Sequence, residues 1–389
     1  MTTSHNVNAH MGYAYDSLSA ALVVDAPLVQ GQTVDLREYF RQHREMGIEP
    51  AAVGILFHGA VHFWQVFASG HIANLVAVEW ERLVQYEKTG NMTPPHAALQ
   101  AFYTEETPFG AFTAAQLQET WVRFWETWVH LDDIDAHCHA MCEGPDAVIY
   151  AKPYLWLLEV LDGHTGFAAW LFPALCFNAF NTTQPVEVFC RAAQRAAQSQ
   201  ALRKLTKTAD FAAVQEGWIR HWNTLVNESV VPILVERGNT QGSHGVELIQ
   251  NGPLRSHPIY AEYLEFVASL QHTWRQPANP SDEAQAVAGE LAALKAQNSD
   301  MWLAFAIPGH PWCRAVLNYF LPPPLVHSRD GDIASRRPAN LRLRESRAGV
   351  ARINETFHQH VLAVEQRVLR FRAASRAYAL GLPLDAFSM

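Results

Sequence analysis

A chain of 389 residues, 49% hydrophobic and 17% charged, carries enough apolar sequence for one large core or two closely packed ones, which excludes disorder over most of its length. Its 29 Lys+Arg against 38 Asp+Glu leave a formal charge of −9 with no basic stripe, which argues against a nucleic-acid partner. The opening MTTSHNVNAHMGYAYDS has no basic segment followed by an apolar one, and the apolar run Ala168–Phe180 is interrupted by Pro173 and falls short of the roughly 20 residues of a bilayer span, so a cytoplasmic, non-membrane protein is expected.

Taken in chain order, the pattern is helical nearly throughout. Ala20–Val29 can hold a short strand. From Pro50 to Tyr86 apolar residues recur at helical spacing, with Gly70 as a break. A second stretch, Thr113 to Cys142, opens on Thr113 as a cap before AAQLQ and carries Trp121, Phe124, Trp125 and Trp128. A third, Ala151 to Phe180, is loosened at Gly163 and Pro173. Further helices are predicted over Val186–Leu205, Asp210–Arg237, His257–Trp274, Ser281–Asn298 and Arg347–Leu380, joined by the polar connections Gln276–Asp282 and Ser328–Pro338. The expected fold is all-α: a large multi-helix bundle enclosing a cofactor pocket over residues 113–389, with a smaller N-terminal helical portion over 1–112, or the two as one continuous domain.

The chain has no dinucleotide fingerprint, Walker loop, HExxH or GxSxG elbow. The five cysteines (Cys138, Cys142, Cys176, Cys190, Cys313) lack CxxC spacing and fit reduced thiols better than a disulfide framework. Within HCHAMC, Cys138 and Cys142 share a helix face, which reads as structural in the absence of a second half for a zinc site.

Nineteen histidines in a Trp-rich apolar chain are the more informative feature, because a buried imidazole needs partners for both nitrogens or a metal on one. In LFHGAVHFWQVF, His58 and His62 stand four apart on one helix face, where two imidazoles can grip one metal or serve as hydrogen-bonded core residues. In the last helix His360 falls inside the apolar stripe running from Val350 to Phe371, and His358 sits at its border. A histidine inside such a stripe is either a satisfied core residue or an axial ligand to haem iron. His310 lies in AIPGHPWC, and His244 in the glycine-rich RGNTQGSHG, whose backbone N–H groups can approach a ligand.

The order of these pieces (the glycine-rich stretch Gly238–Gly245, the Gly309–His310 turn, the helix ending at Tyr319–His327, and a long histidine-bearing C-terminal helix) resembles the indoleamine 2,3-dioxygenase superfamily, which includes tryptophan 2,3-dioxygenase and the haem enzyme of pyrrolnitrin biosynthesis. The best local match is IPGHPWCRAVLNYFLPPPLVH, and the resemblance covers the last third, Gly238 to Gly381. It implies a haem b oxygenase acting with O₂ on a small aromatic substrate of indole or phenol type, and allows a homodimer. The family's proximal histidine falls about where this chain has Val368 to Ser375 without a histidine, so the resemblance implies His360, or alternatively His358, as the iron ligand. It further implies His58 or His62 in the distal pocket, Gly242, Ser243, His244 and His310 around the cofactor, and Arg237 as carboxylate anchor.

Three other classes stay open. A class I terpene synthase would use Asp132, Asp133 and Asp135 of HLDDIDAH for Mg²⁺, a di-iron helical enzyme would use Glu355 and His358, and a non-catalytic haem or small-molecule binding protein would need neither.

Overall fold

The computed structural model describes residues 13–24, 50–130, 134–143, 150–205, 221–236, 245–273, 304–308, 325–328, 347–384 and 386; within the last helix, side chains are described from residue 363 onward. Among these residues the fold is all-α, with 13 α-helices and one small sheet. The strands are β1 (Tyr13–Asp16), β2 (Ala21–Val24) and β3 (Leu325–Ser328), with β1 antiparallel and β3 parallel to β2. The strand expected at Ala20–Val29 is realised over Ala21–Val24, and the rest of that stretch lies outside the described residues.

The Pro50–Tyr86 pattern forms two helices, α1 (Pro50–Ala68) and α2 (Gly70–Thr89). Ser69 breaks the run: its backbone is extended, its hydroxyl accepts from Ile72 N at 3.1 Å and donates to Phe180 O at 2.9 Å. A buried chain break strands backbone polar groups, and Asn181 satisfies them. Its Oδ1 accepts from Gly70 N at 2.9 Å, and its Nδ2 donates to Ala68 O at 3.0 Å. The α1–α2 corner is thereby pinned to the end of a later helix.

After α3 (Ala97–Thr104), the helix α4 (Ala114–His130) opens with a reciprocal capping box. Gln116 N donates to Thr113 Oγ1 at 3.2 Å while Thr113 N donates to Gln116 Oε1 at 2.9 Å, as the sequence predicted for Thr113. Then follow α5 (Ile134–Cys142), α6 (Lys152–Val160), α7 (Thr165–Phe180), α8 (Pro185–Gln198) and α9 (Gln200–Leu205). The expected looseness at Gly163 is a true break, with positive φ at both Asp162 and Gly163, whereas Pro173 sits inside α7 without ending it. Helix α7 is buried on nearly every face, so it is the central helix of the bundle.

The tryptophans build core. Trp64, Trp121, Trp125 and Trp170 are fully buried, Trp121 stacks on Phe180, and the indole N–H groups of Trp121 and Trp125 both donate to Phe305 O at 3.2 Å.

Later come α10 (Val231–Glu236), α11 (Gly245–Asn251), α12 (Pro258–Thr273) and α13 (Arg347–Ala379). Helix α11, not predicted from the sequence, packs its first residue against the backbone of α1. A Cβ on Gly245 would lie 1.9 Å from Val66 O and 2.8 Å from Phe67 O. Neither carbonyl can swing away as a side chain would, so Gly245→Ala must push the two helices apart. It is expected to cost about 1–3 kcal/mol, as overpacking does, read as a lower urea midpoint at unchanged m; parental stability would show that α11 shifts freely.

Candidate metal centre

Helices α1 and α4 face each other across an otherwise apolar interior, and each contributes a polar stripe. On α1, His58, His62 and Gln65 are spaced i, i+4, i+7; on α4, Glu119 and Glu126 are spaced i, i+7. His58 and His62 are buried, while the side chains of Glu119 and Glu126 keep 24% and 17% exposure, so the site opens to solvent on the α4 side.

Three donor atoms converge. His58 Nε2 lies 3.1 Å from His62 Nε2 and 3.3 Å from Glu119 Oε2, and His62 Nε2 lies 3.4 Å from the same oxygen. Among the described residues this is the group of His, Cys, Asp or Glu side chains arranged to hold a metal ion. Around it stands a further set of contacts. His58 Nδ1 is 3.3 Å from Glu126 Oε2, whose other oxygen accepts from Arg123 at 2.8 Å. His62 Nδ1 is 3.5 Å from the Gln118 amide, which is also joined to Gln65 at 2.9 Å. The Tyr15 ring stacks on His62 at 5.5 Å, and the Tyr150 ring meets His58 edge-on at 6.1 Å.

Without an ion, burial alone would push the His58 imidazole down, but the Glu119 and Glu126 carboxylates outweigh it and push it up to about 9. Burial likewise opposes ionisation of the two carboxyls. His62 and His58 nevertheless hold Glu119 well below the usual carboxylate range, and His58 and Arg123 hold Glu126 below it. Two chemistries therefore compete for the same atoms: an imidazolium between two carboxylates, or a metal cation in its place.

The spacing suits either. A charge-assisted N–H···O⁻ bond settles at about 2.7–2.9 Å. An ion held at about 2.1 Å keeps its ligand atoms about 3.0 Å apart at octahedral angles and about 3.4 Å apart at tetrahedral ones. The three separations of 3.1, 3.3 and 3.4 Å fall inside that second range, and the two between nitrogen and oxygen are longer than the first but still within hydrogen-bond reach.

His58 and His62, singled out by spacing, are thus brought together. Glu119, Glu126, Gln118, Gln65, Arg123 and Tyr15 were not singled out. The i, i+7 carboxylates on a Trp-rich helix were a usable signal, but the pairing of α4 with α1 was not written in either segment alone. Arg237, Gly242, Ser243, His244 and His310 lie outside the described residues, as do Asp132 and Asp133; His358, His360 and Glu355 belong to α13, but their side chains lie outside.

In HCHAMC, His137 and Cys138 are core residues. His137 Nδ1 is 2.9 Å from Thr127 Oγ1, Cys138 Sγ is 3.1 Å from the Tyr154 hydroxyl, and His139 is an exposed partner of Glu143. Asp135 is exposed and accepts from the Thr165 hydroxyl. None of the four described cysteines is in a disulfide.

No protein-family model, curated protein or solved structure matches the chain.

Proposed function

We propose that the chain is a mononuclear non-haem metal oxygenase, with His58, His62 and Glu119 as the two-histidine, one-carboxylate ligand set of a ferrous ion and a small aromatic or apolar molecule as substrate. The observation that carries this proposal is the near-equilateral triangle of Nε2, Nε2 and Oε2 donors at 3.1–3.4 Å. These three residues would hold a ferrous ion, which would supply a place for O₂ to bind.

This chain's own residues do the rest. Glu119 supplies the one anionic ligand and marks the solvent-facing edge of the site. Tyr15 and Tyr150 line it with aromatic surface, which suits a flat substrate and restricts water. Hydrolytic chemistry at a metal of the same ligand set would need a carboxylate free to take a proton from water beside the ion. Among the described residues the nearby Glu126 is already committed to His58 and Arg123.

Haem chemistry is the second proposal, since His58 and His62 are buried in an aromatic interior, as distal imidazoles would be, with His360 or His358 as the axial ligand. Glu119 within 3.4 Å of both imidazoles weighs toward the bare ion.

Metal analysis and absorption spectra of the purified full chain, loaded anaerobically with Fe²⁺ or grown with haem precursor, separate the two. The expected result is about one iron per chain and no Soret band, with binding lost in His62→Ala and Glu119→Gln. Free metal at a hundredfold excess over Kd should stabilise the fold by about 2.7 kcal/mol, raising Tm in the parent and not in those variants. A Soret band that disappears in His360→Ala would establish the haem alternative instead, and a chain that takes up neither iron nor haem would overturn both.

A further inference from the structure

Three ligands fix an ion only if each presents the correct atom, and an imidazole offers two. His58 and His62 both aim Nε2 at the centre, so each must carry its proton on Nδ1, and each Nδ1–H needs an acceptor. A polar side chain stands behind each ring. Behind His58 stands Glu126 Oε2 at 3.3 Å, while Glu126 Oε1 is braced by Arg123 at 2.8 Å.

Behind His62 stands Gln118, 3.5 Å away through its Nε2, which also donates to Gln65 Oε1 at 2.9 Å. With the amides turned that way, Gln65 Nε2 is buried without a hydrogen-bond partner among the described residues. An amide's nitrogen and oxygen exchange places by a half turn. Turning both lets Gln65 Nε2 donate to Gln118 Oε1, and the same oxygen then accepts from His62 Nδ1–H. The rearrangement exchanges a stranded donor for a stranded acceptor at Gln65, and it matches His62 to a metal on Nε2.

Resting on the metal reading above, we infer that Glu126, braced by Arg123, and the Gln118–Gln65 amide pair are positioning residues that hold His58 and His62 as Nε2 donors and set the metal affinity of the centre. The two arms differ in charge. Glu126 gives His58 an anionic acceptor, which strengthens it as a ligand, whereas Gln118 gives His62 a neutral one.

That asymmetry makes opposite predictions for two isosteric changes. Glu126→Gln cannot accept from both His58 and Arg123, because its one amide oxygen can face only one of them. Gln118→Glu presents His62 with a carboxylate that accepts from Nδ1–H and from Gln65 Nε2 alike. The probes are Co²⁺ and Zn²⁺ added to the chelator-treated full chain, with affinity read by competition against a chromophoric chelator and ligand geometry by the Co²⁺ visible bands.

Expected are a 10–100-fold weaker affinity with displaced Co²⁺ bands in Glu126→Gln, a several-fold tighter affinity in Gln118→Glu, and a smaller loss in Arg123→Gln. A purely structural role for these side chains would not tighten binding or move the bands. Should Glu126→Gln fail to fold, Gln118→Glu and Arg123→Gln, which leave the His58–Glu126 contact in place, carry the test. Parental affinity and unchanged bands across the folded variants would overturn the inference while leaving the centre standing. A parent chain that binds neither ion would overturn the centre itself, and the inference with it.

Discussion

Glu79→Ala is expected to destabilise the protein by about 3–5 kcal/mol, the cost of leaving buried charge without its partner. Glu79 on α2 is 3% exposed and stands between two guanidinium groups. Arg82 donates to its Oε1 at 3.1 Å and Arg372 of α13 to its Oε2 at 3.0 Å. The network continues outward: Arg372 grips Asp16 of β1 with two bonds at 3.1 and 3.2 Å, and Arg82 donates to Thr93 O at 2.8 Å and to Ser375 at 2.9 Å. Removing the carboxylate leaves Arg82 and Arg372 facing a hole, with Asp16 as the anion that still bonds Arg372 among the described residues.

The measurement is urea unfolding, alone and in a double-mutant cycle with Arg372→Met, where removing both partners should recover part of the loss. A cost below about 1 kcal/mol would mean that solvent screens the cluster in spite of its burial. Because Asp16 adjoins Tyr15, which stacks on His62, the same variant should also loosen the aromatic wall of the metal centre.

Acidification should destabilise the metal-free protein well above the carboxylate range. His137 and His257 are fully buried and stay neutral. Burial, with Arg123 adding to it, pushes His137 down to about 3, and burial pushes His257 down to about 4. The unfolded chain takes up these protons near pH 6.5, so it holds more protons than the fold below that value, and stability falls as pH drops from about 6.5 toward about 4. The slope is up to about 1.4 kcal/mol per pH unit for each residue. Glu119 and Glu126 add to the loss only below about pH 4.5, where their unfolded counterparts become protonated.

His58 has the opposite sign. With its folded value pushed up to about 9, it contributes stability that is complete below about pH 6.5 and disappears as pH rises through about 9. Stability against pH in chelator should therefore show a dome near neutrality. His137→Leu should flatten its acid side, and His58→Gln or bound metal its alkaline side. A flat profile from pH 5 to 6.5 would show that the buried histidines take up protons without unfolding.

Helix content was legible in the sequence because apolar residues recur at the helical period in long runs, and a local period is decided by local residues. The Thr113 cap, the break near Gly70 and the break at Gly163 were legible for the same reason, since each depends on side chains or backbone freedom within a few residues. Helix α11 was not: Gly245–Asn251 is too short to show a period, and its glycine is needed for the approach to Val66. The small sheet was legible only in part, because β3 lies some 300 residues from its partner and nothing in LVHS announces the pairing.

The candidate site divides along the same line. Spacing on one helix put His58 and His62 on one face and allowed that they grip a metal, because i, i+4 neighbourhood follows from helix geometry alone. That Glu119 completes the set, that Glu126 and the Gln118–Gln65 pair stand behind the two rings, and that Tyr15 covers His62 follow from the packing of α4 and β1 against α1. Local spacing set which residues could share a face. Which faces meet was set by packing, because the burial that drives helix association is non-directional, and the choice of partner is made by the shapes of whole helices and by the buried polar groups that must find one another.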